Sequence, residues 1–140
     1  MSASLFLDTN VFAYSYADHS PAKREAARAL ISRTVKEDAG VISFQVVQEF
    51  FSVGFRRFDP PMTPSEAQEY LAVTFAQFRT VHSSYLLYQR ALELFRRHSL
   101  SWYDSLIVAA ALEADCRILY SEDFQHGQTF DTLLVQNPFL

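Results

Sequence analysis

Four acidic residues stand at comparable points of this 140-residue sequence. Asp8 directly follows the short apolar run Ser4-Leu5-Phe6-Leu7, and Asp123 follows a second run, Arg117 to Tyr120, just after the hydroxyl of Ser121. Asp104 lies at the start of a very apolar helical stretch, and Glu49 lies about two turns into another helix. Carboxylates crowded into one cleft repel one another, which raises their pKa values unless a cation neutralises them. Hard oxygen ligands, in a chain with one Cys and no paired His, suit Mg²⁺ or Mn²⁺. Such an ion binds a phosphate oxygen, lowers the pKa of a bound water and stabilises the leaving oxygen, which is the chemistry of phosphodiester hydrolysis. Each acid also has a plain structural role open to it. Asp8 can cap the next helix, Asp104 sits three residues after Ser101 as in a capping box, Asp123 suits a turn, and Glu49 suits a solvated helix face.

The elements that would position these acids are legible in the patterning. An apolar run as short as Ser4–Leu7, cut off by Asp8-Thr9-Asn10, reads as a buried strand of a parallel sheet. Further strands are expected at Val41-Ile42, Thr80-Val81-His82 and 117–120, with an edge strand at Leu133-Leu134-Val135. Between them, helices are expected over 10–16, 21–36, 43–55, 64–78, 84–97 and 105–114. Ser20-Pro21, Ser43 and Thr63-Pro64-Ser65-Glu66 mark helix starts. Within the third helix Gln45, Glu49, Ser52 and Arg56 form a polar stripe separate from Val46, Val47, Phe50, Phe51 and Val53. Strands alternating with helices predict one α/β domain over 1–140: a three-layer α/β/α arrangement with a central parallel sheet of four to five strands and right-handed crossovers. Ligands of such sheets collect at the carboxyl ends of the strands, where all four acids could meet.

Composition narrows the function classes. The net charge of −4 argues against binding nucleic acid through overall charge, while leaving room for local basic patches. Arg56-Arg57 and Arg96-Arg97 are the candidates, with the last turn of a helix as their ordinary place. Thirteen Phe and seven Tyr predict an aromatic core, so Tyr14, Tyr16 and Trp102 are expected mainly to pack, with base stacking as a second role. The lone Cys116 lies in an apolar stretch, is expected to be buried, and excludes an internal disulfide or Cys-based zinc site. No leader peptide or membrane-length apolar run is visible, so a cytoplasmic protein is expected.

Several stretches together resemble a known family. Leu7-Asp8-Thr9-Asn10-Val11, Val47-Gln48-Glu49-Phe50, Trp102-Tyr103-Asp104-Ser105-Leu106-Ile107-Val108-Ala109-Ala110-Ala111, Ser121-Glu122-Asp123-Phe124 and Asn137-Pro138-Phe139 resemble, in order and spacing, the PIN-domain ribonucleases and within them the VapC-type toxins of toxin–antitoxin pairs. The resemblance implies a PIN-like fold and a metal-binding quartet of Asp8, Glu49, Asp104 and Asp123, supported by Thr9, Asn10 and Ser121. It implies Mg²⁺ or Mn²⁺ as cofactor, cleavage of single-stranded RNA, a homodimer, and a VapB-like antitoxin covering the site. Glu122 beside Asp123 is the alternative fourth acid.

Three other readings compete. A housekeeping RNA-processing nuclease would use the same site, and a non-catalytic binding module would use the acids only as caps. An aspartyl-phosphate enzyme would need a second Asp where Asn10 stands and a Lys near the fourth strand, where there is none.

Overall fold

In the computed structural model, which describes residues 3–17 and 19–140, the chain alternates strands and helices throughout. Strand β1 (Leu5–Leu7) leads into α1 (Thr9–Tyr16) and α2 (Pro21–Lys36), then β2 (Gly40–Ser43) into α3 (Phe44–Arg57) and α4 (Pro64–Val73). A single 3₁₀ turn precedes β3 (Arg79–Val81). Helices α5 (Tyr85–Arg97) and α6 (Trp102–Glu113) come next, then β4 (Ile118–Tyr120), β5 (Thr129–Phe130) and β6 (Leu133–Gln136).

Among the described residues the sheet has six strands in the order β3-β2-β1-β4-β6-β5. All neighbours are parallel except β5, which pairs antiparallel with β6. The expectation of four to five strands is corrected by β5. It also takes from β6 the edge place expected for residues 133–135. At two residues, β5 is too short to show an alternating pattern, and it exists through the turn that folds Thr129 back onto Leu134.

All three residues of β1 are buried, as expected of a central parallel strand covered on both faces. The crossovers from β1 to β2 to β3 all step one way, and the return to β4 steps the other way. With right-handed crossovers this places α1–α4 on one face and α5–α6 on the other. Consistent with this, α1 packs on α2 and α3, and α5 packs on α6. The chain therefore reverses direction between β1 and β4, which opens a crevice at the carboxyl ends of those two strands.

The aromatic core follows the composition. Phe50 stacks on Tyr70 with ring centroids 4.5 Å apart and meets Phe75 edge-on at 5.4 Å, and Phe12 touches Phe75 and Phe78 edge-on. This knot joins α1, α3 and α4 to the sheet, so the helices carrying Asn10 and Glu49 are packed against one another. Tyr16 belongs to it too, stacked on Phe58. Cys116 is buried, and burial pushes its thiol up to about 12, so it is an inert core residue.

The helix starts show where sequence rules held locally. Thr63 and Glu66 form the expected capping box, with Thr63 Oγ1 accepting from Glu66 N–H and Glu66 Oε1 accepting from Thr63 N–H. Ser84 and Ser101 cap α5 and α6. Ser20 and Ser43 occupy cap positions without a capping bond. Pro21 already removes one of the donors at Ser20, and Ser43 ends β2 with its hydroxyl buried.

Candidate active site

Strand register builds the centre of the crevice. Leu7 pairs with Tyr120, so the next residues, Asp8 and Ser121, leave the sheet side by side. Asp8 N–H still donates to Tyr120 O at 3.0 Å, which keeps the two chain ends parallel as they diverge. One oxygen of Asp8, Oδ1, accepts from Thr9 N–H at 2.7 Å and caps α1; the other, Oδ2, accepts from Ser121 Oγ at 2.7 Å. The carboxylate is held on both sides and is only 4% exposed.

Asp123 stands two residues beyond Ser121, with its N–H donating to Ser121 Oγ at 3.0 Å. Asn10 Nδ2 donates to Asp123 Oδ2 at 3.2 Å and to Ser121 Oγ at 3.3 Å. Asn10 and Ser121 therefore lock the Asp8 and Asp123 loops together. Asp104 reaches the same edge from the opposite face of the sheet. Helix α6 runs down into β4, so its first turn lies at the carboxyl edge, where Asp104 is half-buried. Glu49, on α3, is open to solvent at the rim.

These four acids interact electrostatically. Burial raises Asp8 from 3.8 to about 7, against the pull of the Ser121 and Thr9 hydrogen bonds, and Asp123 and Glu49 push it further up. Glu49 is raised by desolvation and by Asp123 and Asp104, with the Gln45 amide and Thr9 hydroxyl pulling back. Asp104 is raised by desolvation and by Asp123.

Glu122 does not face this set. Its Oε1 accepts from the Tyr14 hydroxyl at 2.6 Å and its Oε2 from Lys23 Nζ at 3.0 Å, so it is consumed outside the crevice. The basic pairs are divided. Arg56 is bonded back onto Ser52 and Arg96 onto Glu93, while Arg57 and Arg97 are exposed in the last turns of α3 and α5.

Two further residues at the site, Gln45 and Tyr103, were not singled out as functional by type or spacing. Gln45 is buried, and its Nε2 donates to the Tyr103 carbonyl at 3.2 Å, tying the start of α6 to α3 and so Asp104 to Glu49. The only sequence signal was its place in the stripe with Glu49. Tyr103 is 66% exposed beside Asp104, and Trp102 packs edge-on against Phe95. Lys23, on α2, reaches Glu122.

The donor set fits a divalent cation in its chemistry: four hard carboxylates, one of them buried and one half-buried, with no thiolate among them. Asn10 Oδ1 and Gln45 Oε1, on residues lining this region, are buried without a hydrogen-bond partner, as expected where an ion and its waters belong. Among the described residues no three acidic, His or Cys side chains are gathered closely enough to hold an ion by themselves. An ion here would take part of its coordination from water.

The PIN domain family matches residues 5–129, which includes all four acids. This chain belongs to the PIN domain family. No curated protein matches its sequence. Several solved structures share the PIN fold across nearly the whole chain. A chain of a toxin–antitoxin complex from Klebsiella pneumoniae is 14% identical with a TM-score of 0.71, covering 96% of this chain and 98% of that one. A sarcin-ricin-loop-cleaving VapC toxin from Mycobacterium tuberculosis is 21% identical with a TM-score of 0.66, covering 87% and 90%. A chain of a VapBC complex from Rickettsia felis, bound to promoter DNA, is 16% identical with a TM-score of 0.68, covering 95% and 97%. At these identities the likeness is one of fold. No helix of this PIN domain, among the described residues, is long and apolar enough to cross a membrane.

Proposed function

We propose that this PIN domain is an Mg²⁺- or Mn²⁺-dependent endoribonuclease that cuts single-stranded regions of RNA, and that it is the toxin of a VapBC-type pair. The observation that carries the reading is Asp8: a buried carboxylate raised to about 7, facing Asp123 and Glu49, which in turn face Asp104. Such a cluster costs stability in the free protein and becomes useful when a cation neutralises it.

Asp8, Asp104 and Asp123 would hold the ion, directly or through water, and Glu49 would complete the set. When bound, the ion supplies positive charge to a phosphate oxygen and lowers the pKa of a water. The chain's own residues fix the geometry. Ser121 and Thr9 N–H hold both oxygens of Asp8, Asn10 holds Asp123, and Gln45 holds the turn that presents Asp104. Glu49, raised above its ordinary range, is the acid at the rim suited to take a proton from an attacking water. The N–H groups of the first turn of α6 add positive potential where a phosphate would lie. Arg57 and Arg97 are the exposed cations available to the RNA backbone; Arg56 and Arg96 would first have to leave Ser52 and Glu93.

The shared fold with a sarcin-ricin-loop-cleaving toxin and with chains of toxin–antitoxin complexes supports RNA as substrate and a VapB-like antitoxin as partner. A homodimer in the cytoplasm completes the proposal.

The test is cleavage of total cellular RNA with Mn²⁺ or with EDTA, with the new 5′ ends mapped, using wild type, Asp8→Asn and Asp104→Asn. The expected result is a small set of cuts that needs the metal and falls on the order of a hundredfold in either variant. Cuts that persist undiminished in both variants would overturn the assignment.

A further inference from the structure

The turn carrying Asp123 is gripped at three consecutive residues, and two of the grips come from one helix face. Asn10 and Tyr14 are four residues apart on α1 and so lie on the same side of it. Asn10 holds Asp123, and Tyr14 holds Glu122 through a 2.6 Å hydrogen bond. Between them Ser121 is fixed to Asp8, which caps the same helix. Helix α1 is thus the template along which the Ser121-Glu122-Asp123 turn is laid.

Lys23, from α2, closes the arrangement. Its Nζ lies 3.0 Å from Glu122 Oε2 and 3.2 Å from the Tyr14 hydroxyl, so the three polar groups form a triangle. The ammonium also lies over the Tyr14 ring, 4.5 Å from its centroid, and 5.6 Å from that of Phe139, which itself packs edge-on against Tyr14. This ion pair is partly exposed and is flanked on one side by aromatic rings. Glu122 and Asp123 are adjacent acids at the end of one strand. Unless Glu122 is pinned away, either could swing into the crevice, and its charge would add to the repulsion there.

We propose that Tyr14, Lys23 and Glu122 form a positioning bracket that keeps Glu122 out of the acidic crevice and fixes the direction of Asp123, and so sets the affinity of the site for a divalent cation. None of the three touches the reacting atoms. The inference rests on the nuclease reading given above.

The experiment is Mn²⁺ titration calorimetry on the full chain, with thermal melting in EDTA as a measure of folding. Tyr14→Phe and Glu122→Gln keep the packing and break the bracket. Each is expected to weaken Mn²⁺ binding about tenfold, as loss of a group supporting a ligand does. Lys23→Met is expected to do the same, with Lys23→Arg restoring much of the affinity. Thr63→Ala, which removes a helix cap at α4, shows what lost stability alone does to binding. Unchanged affinity in Tyr14→Phe and Glu122→Gln overturns the bracket, as does an equal loss in Thr63→Ala. Asp8→Asn separates the two claims. If wild type binds Mn²⁺ and Asp8→Asn does not, the nuclease reading stands whatever the bracket variants do. If wild type fails to bind, both fall.

Discussion

Replacing Asp8 by Asn should stabilise the metal-free protein at neutral pH, although it removes a residue of the proposed site. The folded chain holds the Asp8 proton far more tightly than an unfolded chain would, about 7 against 3.8. A carboxylate whose folded pKa is raised contributes stability that is full below about pH 4 and is lost as pH rises towards 7. The shift corresponds to about 4 kcal/mol, since each unit is worth about 1.4 kcal/mol. Asn keeps the shape and still accepts from Thr9 N–H, but its Nδ2 must face Ser121 Oγ, whose proton loses its acceptor and whose lone pairs already accept from Asp123 N–H and Asn10 Nδ2. Leaving the Ser121 hydroxyl proton without its acceptor costs about 1 kcal/mol. The net expectation at pH 8 is a gain of about 3 kcal/mol, or roughly 10 °C in Tm for a chain of this size. The assay is thermal melting of both proteins in EDTA from pH 4 to pH 8. The difference between the curves isolates Asp8, because the raised Glu49 and Asp104 slope both curves the same way. The gap should be absent or reversed at pH 4 and open through pH 7. An Asp8→Asn protein that melts at or below wild type at pH 8, with no change in the gap across the range, would refute the claim that the buried charge is costly.

Adding Mn²⁺ at about a hundred times its dissociation constant should stabilise wild type by about 2.7 kcal/mol and Asp8→Asn by nothing measurable, with EDTA reversing the effect. An equal rise in both proteins would place the ion elsewhere. Ser121→Ala removes the hydrogen bond that holds Asp8 down, so its pKa should rise further and the pH midpoint of Mn²⁺ binding should move upward; a downward or absent shift in titrations at stepped pH counts against the role given to Ser121. Gly40→Ala would drive a Cβ into the buried Phe78 ring and against Thr34 of α2. Overpacking of this kind should cost about 1–3 kcal/mol in urea denaturation, and an unchanged midpoint would show that Phe78 has room to move.

Much of the architecture was readable because local rules and global fold agree here. The short apolar runs before Asp8 and Ser121, the Thr63–Glu66 capping box and the strongly apolar stretch from Ser105 to Ala111 each became the element their residues favour. Boundaries moved where tertiary contacts intervened: α4 stops at Val73, and the 3₁₀ turn that follows delivers Phe75 and Phe78 into the aromatic knot instead of extending the helix. Asp8, Asp104 and Asp123 could be named as candidates from the sequence because each follows a strand end or opens a helix, and Glu49 because it lies on the helix that leaves β2. Gln45 could not be named, because a Gln on a polar stripe looks the same whether it faces water or bridges two helices.

The sequence by itself determined the alternation of strands and helices, the aromatic character of the core and the candidate acids, since these depend on residue type and on spacings of a few positions. It put Asp123 first and kept Glu122 as the alternative, because adjacent acids after a strand carry nearly the same local signal. Only the tertiary structure separated them, by bringing Tyr14 and Lys23 from two helices onto Glu122 and Asn10 onto Asp123. The raised pKa of Asp8 is likewise a tertiary property. It comes from burial between strands whose neighbours lie more than a hundred residues apart in sequence, and no local pattern records that.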